Sequence, residues 1–314
     1  MMKKNNIIDT SCLTLKGDNL TTVQKEIFLL FYKSISGSSI IYRGVDGEYL
    51  SRRYNTDASN LSLLSELLFL YGDKGEEFCK DIHFEIDINN TERICFQSIL
   101  NNLKETFSNR NSNNDAVNNR LPEFCKDNYT AIHNIISINE EEWCERIDPL
   151  PEETKIKIKD YYISFLHTIG KAGYGNYSYF LSTTKNFKTA EFFRHNDNED
   201  GIIIVGWTNG KGVICTEEPS LKTIVESCGL PTFDKDFFPG QKEITYKCGL
   251  LPHFIIGYHY KDKFEINPYI LKIEDMSAVR KEGLPVNQKP FIELLSKTNF
   301  KSYYNVCDCF YWQQ

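Results

Sequence analysis

The chain has 314 residues, of which 41% are hydrophobic and 25% charged, so it has the composition of a globular protein that can bury a core. Its formal net charge of −7 excludes a chain-wide attraction to nucleic acid or to an anionic membrane, although a local basic patch stays compatible with it. No apolar run approaches the ~20 residues of a membrane-spanning helix, and residues 1–9 lack the apolar stretch of a secretion signal. We therefore expect a cytoplasmic protein without membrane contacts.

The cysteines and histidines do not predict a metal site. The ten cysteines are scattered without a Cys-x-x-Cys pair, which indicates reduced thiols in the core. Cys307-x-Cys309 has the spacing of half a metal site, but no matching cysteine or histidine pair accompanies it. His133 and His167 lie in helical patterns without a partner at ligand spacing, so we interpret both as structural and expect no bound metal.

Helical patterns dominate the first half of the chain. Thr21 and Thr22 can cap a helix over residues 23–34, and apolar residues at helical spacing predict a core helix over residues 61–70. The asparagine-rich stretch 109–119 is predicted to be a loop or disordered. Further helices are predicted over residues 93–103, 132–138, 140–146 and 152–166.

Strand patterns dominate the second half. Residues 202–207 and 213–215 are predicted to form a hairpin, and a helical segment containing Phe187, Ala190 and Phe193 precedes it. Helices in the first half and strands in the second predict an α+β fold. Further strands are predicted over residues 177–184, 244–246, 254–258 and 269–273.

An arginine ends the first predicted strand, which runs over residues 40–44 and closes with Tyr42-Arg43-Gly44. One interpretation is a surface charge whose apolar stem lies along the sheet. The other is a fixed guanidinium that grips a phosphate or diphosphate, with Gly44 allowing the ligand to approach the backbone closely. The residues alone favour neither.

A second candidate site follows the segment Phe237-Phe238-Pro239-Gly240. This segment is predicted to be a turn with exposed aromatic side chains. Strand alternation then places Gln241, Glu243 and Thr245 on one face, and Ile244 and Tyr246 on the other. An amide beside a carboxylate behind a flexible turn is suited to a small site. The alternative is an ordinary half-buried strand that leaves a turn.

Three short motifs thus follow one another: Tyr42-Arg43-Gly44, Leu181-Ser182-Thr183-Thr184 and Gln241-Lys242-Glu243. Their order resembles the R-S-E class of ADP-ribosyltransferases, the fold shared by cholera-toxin-like and C3-like enzymes. In that family an aromatic-Arg-Gly strand, an aromatic-x-Ser-Thr-Ser strand and a (Gln/Glu)-x-Glu strand line a cleft for NAD. The resemblance covers roughly residues 36–275. Thr184 replaces the family's last serine, and the insertion between the first two motifs is longer than in compact members.

The resemblance implies a role for each motif residue. Arg43 would clamp the diphosphate of NAD, while Ser182 would orient Glu243, which stabilises the oxocarbenium-like sugar. Gln241 would meet the incoming nucleophile. Phe192, Phe193 or Arg194 would close over the cofactor, and the phenylalanines of the turn would stack on the target. The implied catalytic residues are Arg43, Ser182, Gln241 and Glu243; the cofactor-binding residues are Arg43, Gly44, Ser182, Thr183, Phe193, Arg194 and Glu243; the substrate-binding residues are Phe237, Phe238 and Gln241.

The resemblance also bears on the acceptor. In the family, Glu-x-Glu accompanies arginine as acceptor, whereas Gln-x-Glu accompanies asparagine on small GTPases or bases of nucleic acid. A neutral amide pairs with another amide or with a base edge. We favour RNA or DNA, with a protein asparagine or glutamine as the alternative, and Arg52, Arg53, Lys155, Lys157 and Lys159 as candidate phosphate contacts.

The biological role is inferred from the same resemblance. Without an export signal, the chain is expected to act inside the cell that makes it, as a toxin in phage defence or in a toxin–antitoxin pair with a neutralising partner. A catalytically silent module that binds NAD or ADP-ribose is a further alternative. The implied architecture is one domain over residues 1–314, an ADP-ribosyltransferase-like β-sandwich core with a helical N-terminal half, a large helical insertion at 52–165 and a C-terminal extension at 276–314.

Overall fold

The structure is a computed structural model that describes residues 39–48, 50, 91–109, 115–169, 180–194, 201–208, 219–235, 237–247, 255–261 and 263–266. Several predictions from the sequence lie outside these residues. They are the helices over 23–34 and 61–70, the strands at 213–215 and 269–273, the arginines at 52 and 53, and the C-terminal Cys-x-Cys.

The described residues form an α+β fold, as predicted from the sequence. Its helices are α1 (Arg93–Asn109), α2 (Asp115–Asp127), α3 (Tyr129–Ser137), α4 (Glu140–Ile147), α5 (Glu152–Thr168), α6 (Phe187–Phe193) and α7 (Pro219–Ser227). Its strands are β1 (Ser39–Val45), β2 (Phe180–Thr184), β3 (Ile202–Thr208), β4 (Glu243–Lys247), β5 (Ile255–Tyr260) and β6 (Lys263–Ile266). Among these residues no helix is both long and apolar enough to cross a membrane.

Local chemistry stabilises both ends of α4. The side chain of Asn139 caps α4 by accepting a hydrogen bond from the Glu142 amide at 2.8 Å. Glutamates fill the first turn of α4 and Arg146 lies in its last turn, so both ends complement the helix dipole.

The prediction of a loop over residues 109–119 is wrong for 115–119, which begin α2. Leu121 and Phe124, three residues apart, bury one face of that helix.

The strands that the structure describes form a sheet in the order β4-β2-β1-β3-β5-β6. Antiparallel pairing sets Arg43 of β1 opposite Ile204 of β3, and Ile204 opposite Tyr258 of β5. Tyr42 of β1 lies opposite Thr184 of β2. β1 and β2, which carry the first two sequence motifs, are paired strands.

The described residues divide into two compact units. The first takes its residues from 1–72, 182–212 and 249–314, and the second from 73–181 and 213–248. In the first unit, β1, β3, β5 and β6 form consecutive strands and α6 packs on β1. The second unit contains α1 to α5, α7 and β4, while β2 contributes residues to both.

The core of the second unit is aromatic. Phe165 and Phe233 lie at its centre with their ring centroids 4.3 Å apart. The hydroxyl of Tyr161 accepts a hydrogen bond from the Phe233 amide at 2.7 Å, and that of Tyr162 donates one to the Pro231 carbonyl at 2.6 Å. Burial raises the pKa of both tyrosines well above the ordinary value, so both stay neutral donors or acceptors in this core.

Candidate functional site

Arg43 lies on the face of β1 opposite the one on which α6 packs. Strand alternation places Arg43 on the same side as Ile41 and Val45, which are both buried. Tyr42 and Gly44 point to the opposite side, where the Tyr42 ring meets the Phe187 ring of α6 edge to face at 5.3 Å. Arg43 is half-buried and shares its face of β1 with these two apolar side chains.

The guanidinium of Arg43 is bonded to the second motif. Its Nη1 donates a hydrogen bond to the backbone carbonyl oxygen of Ser182 at 2.7 Å, across 139 residues of sequence. This bond joins two of the three predicted motif residues within the first unit. It uses one donor of a planar fork, and among the described residues no other group is hydrogen-bonded to this side chain. A fixed guanidinium with donors to spare can bind an anion.

Gly44 is required by packing. A Cβ at this position would lie 1.9 Å from the backbone oxygen of Ala190 and 2.7 Å from the backbone nitrogen of Arg194. The backbone of α6 thus occupies the space that we expected a ligand to use. The expected approach of a ligand is therefore wrong for the side of Gly44 that faces α6, and a cofactor-binding role of its backbone stays a prediction. The glycine allows α6 to pack closely on β1.

Two aromatic side chains are exposed at the end of α6. Phe192 and Phe193 have 70% and 46% of their surface accessible, and their rings meet edge to face at 5.6 Å. Arg194 follows as the C-cap, and its amide donates to the Ala190 carbonyl at 3.0 Å. Its Nε is buried and has no hydrogen-bond partner in the described part of the chain. The exposure of Phe193 suits a ring that closes over a ligand, and that role stays a prediction.

The Gln-x-Glu motif is built differently from the prediction. Pro239–Gln241 form a 3-10 turn, in which the Gln241 amide donates to the Phe238 carbonyl at 2.9 Å. Lys242 adopts the left-handed conformation, with φ 48 and ψ 47, and β4 begins at Glu243. Strand alternation therefore does not extend to Gln241, and its expected place on the strand face with Glu243 is wrong. Thr245, expected on the same open face, is fully buried.

The two phenylalanines of the turn have different environments. Phe237 is 3% exposed, and its ring lies 5.0 Å from Phe124 and 6.4 Å from Phe165, in the aromatic core. The expectation of an exposed ring is wrong for Phe237, because this side chain fills that core. Phe238 is half-buried and meets Phe237 edge to face at 4.9 Å. Of the two, Phe238 alone can offer ring surface to a target.

Arg120 of α2 is a candidate that sequence reasoning did not find. Its guanidinium carbon lies 5.3 Å from the centroid of the Phe238 ring, within the range of a cation–π contact. Nothing in the local sequence of α2 distinguishes this exposed arginine, since only the fold brings it to the turn. A contact between two residues so far apart in the sequence leaves no periodic pattern from which it could be predicted.

Of the three lysines of α5 that are candidate phosphate contacts, one is buried and one is paired with a carboxylate, so only the role of Lys155 stays a prediction without a competing contact among the described residues. Lys159 is completely buried, so its expected contact with a nucleic-acid phosphate is wrong. Lys157 is paired with Glu153 at 2.6 Å. Successive lysines at alternate positions point to different sides of a helix, which is why one of them is buried in the core.

An open pocket of about 300 Å³ lies in the second unit, between α3, α4 and residues 229–231. The guanidinium of Arg146 lines it, bonded to the Gly229 carbonyl and to the Glu142 carboxylate at 2.5 Å. This cation is therefore already neutralised. Within the residues that the structure describes, no group of three or more metal-ligating side chains comes together.

Comparisons of the chain with protein-family models, with curated proteins and with solved structures give no match. The interpretation of the site therefore depends on the residues and contacts described above.

Proposed function

We propose that the chain is a mono-ADP-ribosyltransferase of the R-S-E class, which transfers ADP-ribose from NAD to a base of RNA or DNA. The observation that carries the proposal is the hydrogen bond from Arg43 to the Ser182 backbone, which joins the first two motifs. The antiparallel pairing of the first two motif strands supports it, because Tyr42 of β1 lies opposite Thr184 of β2. An ADP-ribosyltransferase-like β-sandwich core is part of the proposal.

In the proposed reaction the bond between the ribose C1′ and the nicotinamide nitrogen breaks, and its electron pair leaves with nicotinamide. A nitrogen or oxygen of the acceptor then attacks C1′ and loses its proton to solvent. Positive charge develops on the sugar, so the reaction needs a fixed diphosphate and a nearby carboxylate. Arg43 would bind the diphosphate with the guanidinium donors that the Ser182 carbonyl leaves uncommitted.

Glu243 and Gln241 would have separate roles, one at the sugar and the other at the acceptor. Glu243, the first residue of β4, would hold a ribose hydroxyl and stabilise the cationic sugar. Ser182 would orient Glu243 through its hydroxyl. Gln241 lies on the turn before β4, so its amide would meet the acceptor and not the sugar. A neutral amide cannot deprotonate a guanidinium but pairs well with the edge of a base.

The proposed biological role is a toxin that acts inside the cell, in phage defence or in a toxin–antitoxin pair. Such an enzyme would be held inactive by a neutralising partner. A protein asparagine or glutamine is the second candidate acceptor, and the net charge of −7 favours it, since a negative chain gains nothing from the phosphates of nucleic acid.

Release of nicotinamide from NAD by the purified chain tests the proposal without knowledge of the acceptor. We expect release by the wild type and a loss of roughly 100- to 1,000-fold in Glu243→Ala, the usual cost of removing one group that stabilises transition-state charge. Glu145→Ala, at an exposed glutamate of α4, is the control and should retain full activity. Binding of NAD without release would identify a catalytically silent module instead.

A further inference from the structure

A cation and an aromatic ring form one exposed surface beside the turn that carries Gln241. Arg120 is exposed on α2, and its guanidinium carbon lies 5.3 Å from the centroid of the Phe238 ring. Both residues belong to the second unit. In the described part of the chain, Arg120 forms no ion pair with a carboxylate, so its charge remains available to a ligand.

Phe238 is held in place by one contact of its ring and one hydrogen bond of its backbone. Its edge contact with Phe237 connects it to the aromatic core, because Phe237 packs on Phe124 at 5.0 Å. Its carbonyl accepts the hydrogen bond from the Gln241 amide at 2.9 Å. A contact made by Phe238 and Arg120 is therefore at a fixed place relative to the backbone of Gln241.

We propose that Arg120 and Phe238 form a binding site for single-stranded nucleic acid. The guanidinium would bind a backbone phosphate and offer its plane to a base, and the ring would provide the apolar side of the same contact. The inference rests on the proposed function in one respect, since it assigns this surface to the acceptor. A phosphate, a planar base and a base edge match a cation, an aromatic ring and an amide, whereas a protein asparagine supplies only the last of these.

The charged residues around Arg120 predict which substitutions should strengthen the binding of nucleic acid and which should weaken it. Glu123 lies three residues further along α2 and exposes its carboxylate, which would repel a phosphate at Arg120. Lys235 and Asp127 neutralise each other in an ion pair at 2.8 Å. Removal of the Glu123 charge should therefore strengthen binding, and removal of Arg120 should weaken it.

Fluorescence anisotropy of a labelled single-stranded RNA of about 12 nucleotides, titrated with the full chain in the absence of NAD, measures this site. We expect Arg120→Ala to weaken binding by about 5- to 100-fold and to reduce the slope of log K against log salt by about 0.7. Phe238→Ala should weaken binding with an unchanged slope, and Glu123→Gln should strengthen it. Lys126→Ala, at an exposed lysine on a different side of α2, is the matched control and should bind like the wild type.

Two results would overturn the proposal: no binding of the oligonucleotide by the wild type, or equal binding by the wild type and Arg120→Ala. The assay does not involve NAD, so it separates this inference from the proposed activity. If the chain binds the oligonucleotide through Arg120 but releases no nicotinamide, the nucleic-acid site is supported and the proposed enzymatic activity is contradicted. A chain that releases nicotinamide and transfers ADP-ribose to protein in a way that depends on Arg120, but that binds no oligonucleotide, would support the proposed activity. The same result would contradict the proposed nucleic-acid site.

Discussion

Arg43 and Ser182 are joined by a hydrogen bond of 2.7 Å from a guanidinium nitrogen to a backbone carbonyl oxygen. The acceptor is a main-chain atom, so this contact depends on the position of β2 and not on the side chain of Ser182. A bond of this kind holds the guanidinium at a fixed angle while it leaves other N–H donors for a ligand. It makes Arg43 the best-supported residue of the candidate site.

Arg43→Lys is expected to raise the KM for NAD by roughly tenfold or more, although it keeps the charge. An ammonium group is not planar, so it cannot donate to the Ser182 carbonyl and also bind a diphosphate in the bidentate geometry of a guanidinium. A hydrogen bond to a charged group contributes about 1.5–3 kcal/mol. Initial rates of nicotinamide release at varied NAD measure the effect. Arg93→Lys, at an exposed arginine paired with Glu141 and Asp148, is the control. An unchanged KM in Arg43→Lys would remove Arg43 from the cofactor site.

Gly44→Ala is expected to lower the free energy of unfolding of the first unit by about 1–3 kcal/mol or more. The added methyl group would overlap the backbone of α6, which cannot move aside like a flexible side chain. Gly240→Ala is the matched control, because its added Cβ would meet no atom within 4 Å. Urea denaturation of both variants, followed by circular dichroism, measures the difference. Equal stability of the two variants would show that α6 does not pack on β1 as described.

The sequence was sufficient to predict elements whose pattern is local. The strand at 40–44, the helices over 132–138, 140–146 and 152–166, and the turn before Glu243 are confirmed. Contacts between distant segments could not be predicted. The burial of Phe237 depends on Phe124 and Phe165, which no local pattern associates with a Phe-Phe-Pro-Gly turn. The position of Gln241 depends on the left-handed conformation of Lys242, a conformation that favours glycine, so the sequence did not predict it.

Phe237→Ala and Phe238→Ala are expected to differ, although the two residues are adjacent. Loss of the buried Phe237 ring should lower the free energy of unfolding of the second unit by about 3–5 kcal/mol. Loss of the half-buried Phe238 ring should cost much less stability and should reduce transfer to the acceptor. Chemical denaturation of the two variants, beside assays of transfer, measures both effects. A larger loss of stability in Phe238→Ala than in Phe237→Ala would contradict the assigned burial.

Gln241→Ala is expected to separate hydrolysis of NAD from transfer. Gln241 lies on the turn before β4 and is assigned to the acceptor, so its loss should leave much of the nicotinamide release while transfer falls. Both rates are measured in one reaction, with and without acceptor. If hydrolysis and transfer fall together, Gln241 belongs to the cofactor site, and the argument from the amide to a base as acceptor no longer holds.

Transfer of labelled ADP-ribose is the most direct test of the proposed activity. NAD labelled in its adenylate half is incubated with the purified chain and a cell lysate, and the RNA, DNA and protein fractions are then separated and counted. We predict label in the RNA or DNA fraction with the wild-type chain, and a loss of roughly 100- to 1,000-fold with a folded Glu243→Ala variant. Label confined to the protein fraction would contradict the nucleic-acid acceptor. No label in any fraction, or equal label with Glu243→Ala, would contradict an ADP-ribosyltransferase built on Arg43, Ser182 and Glu243.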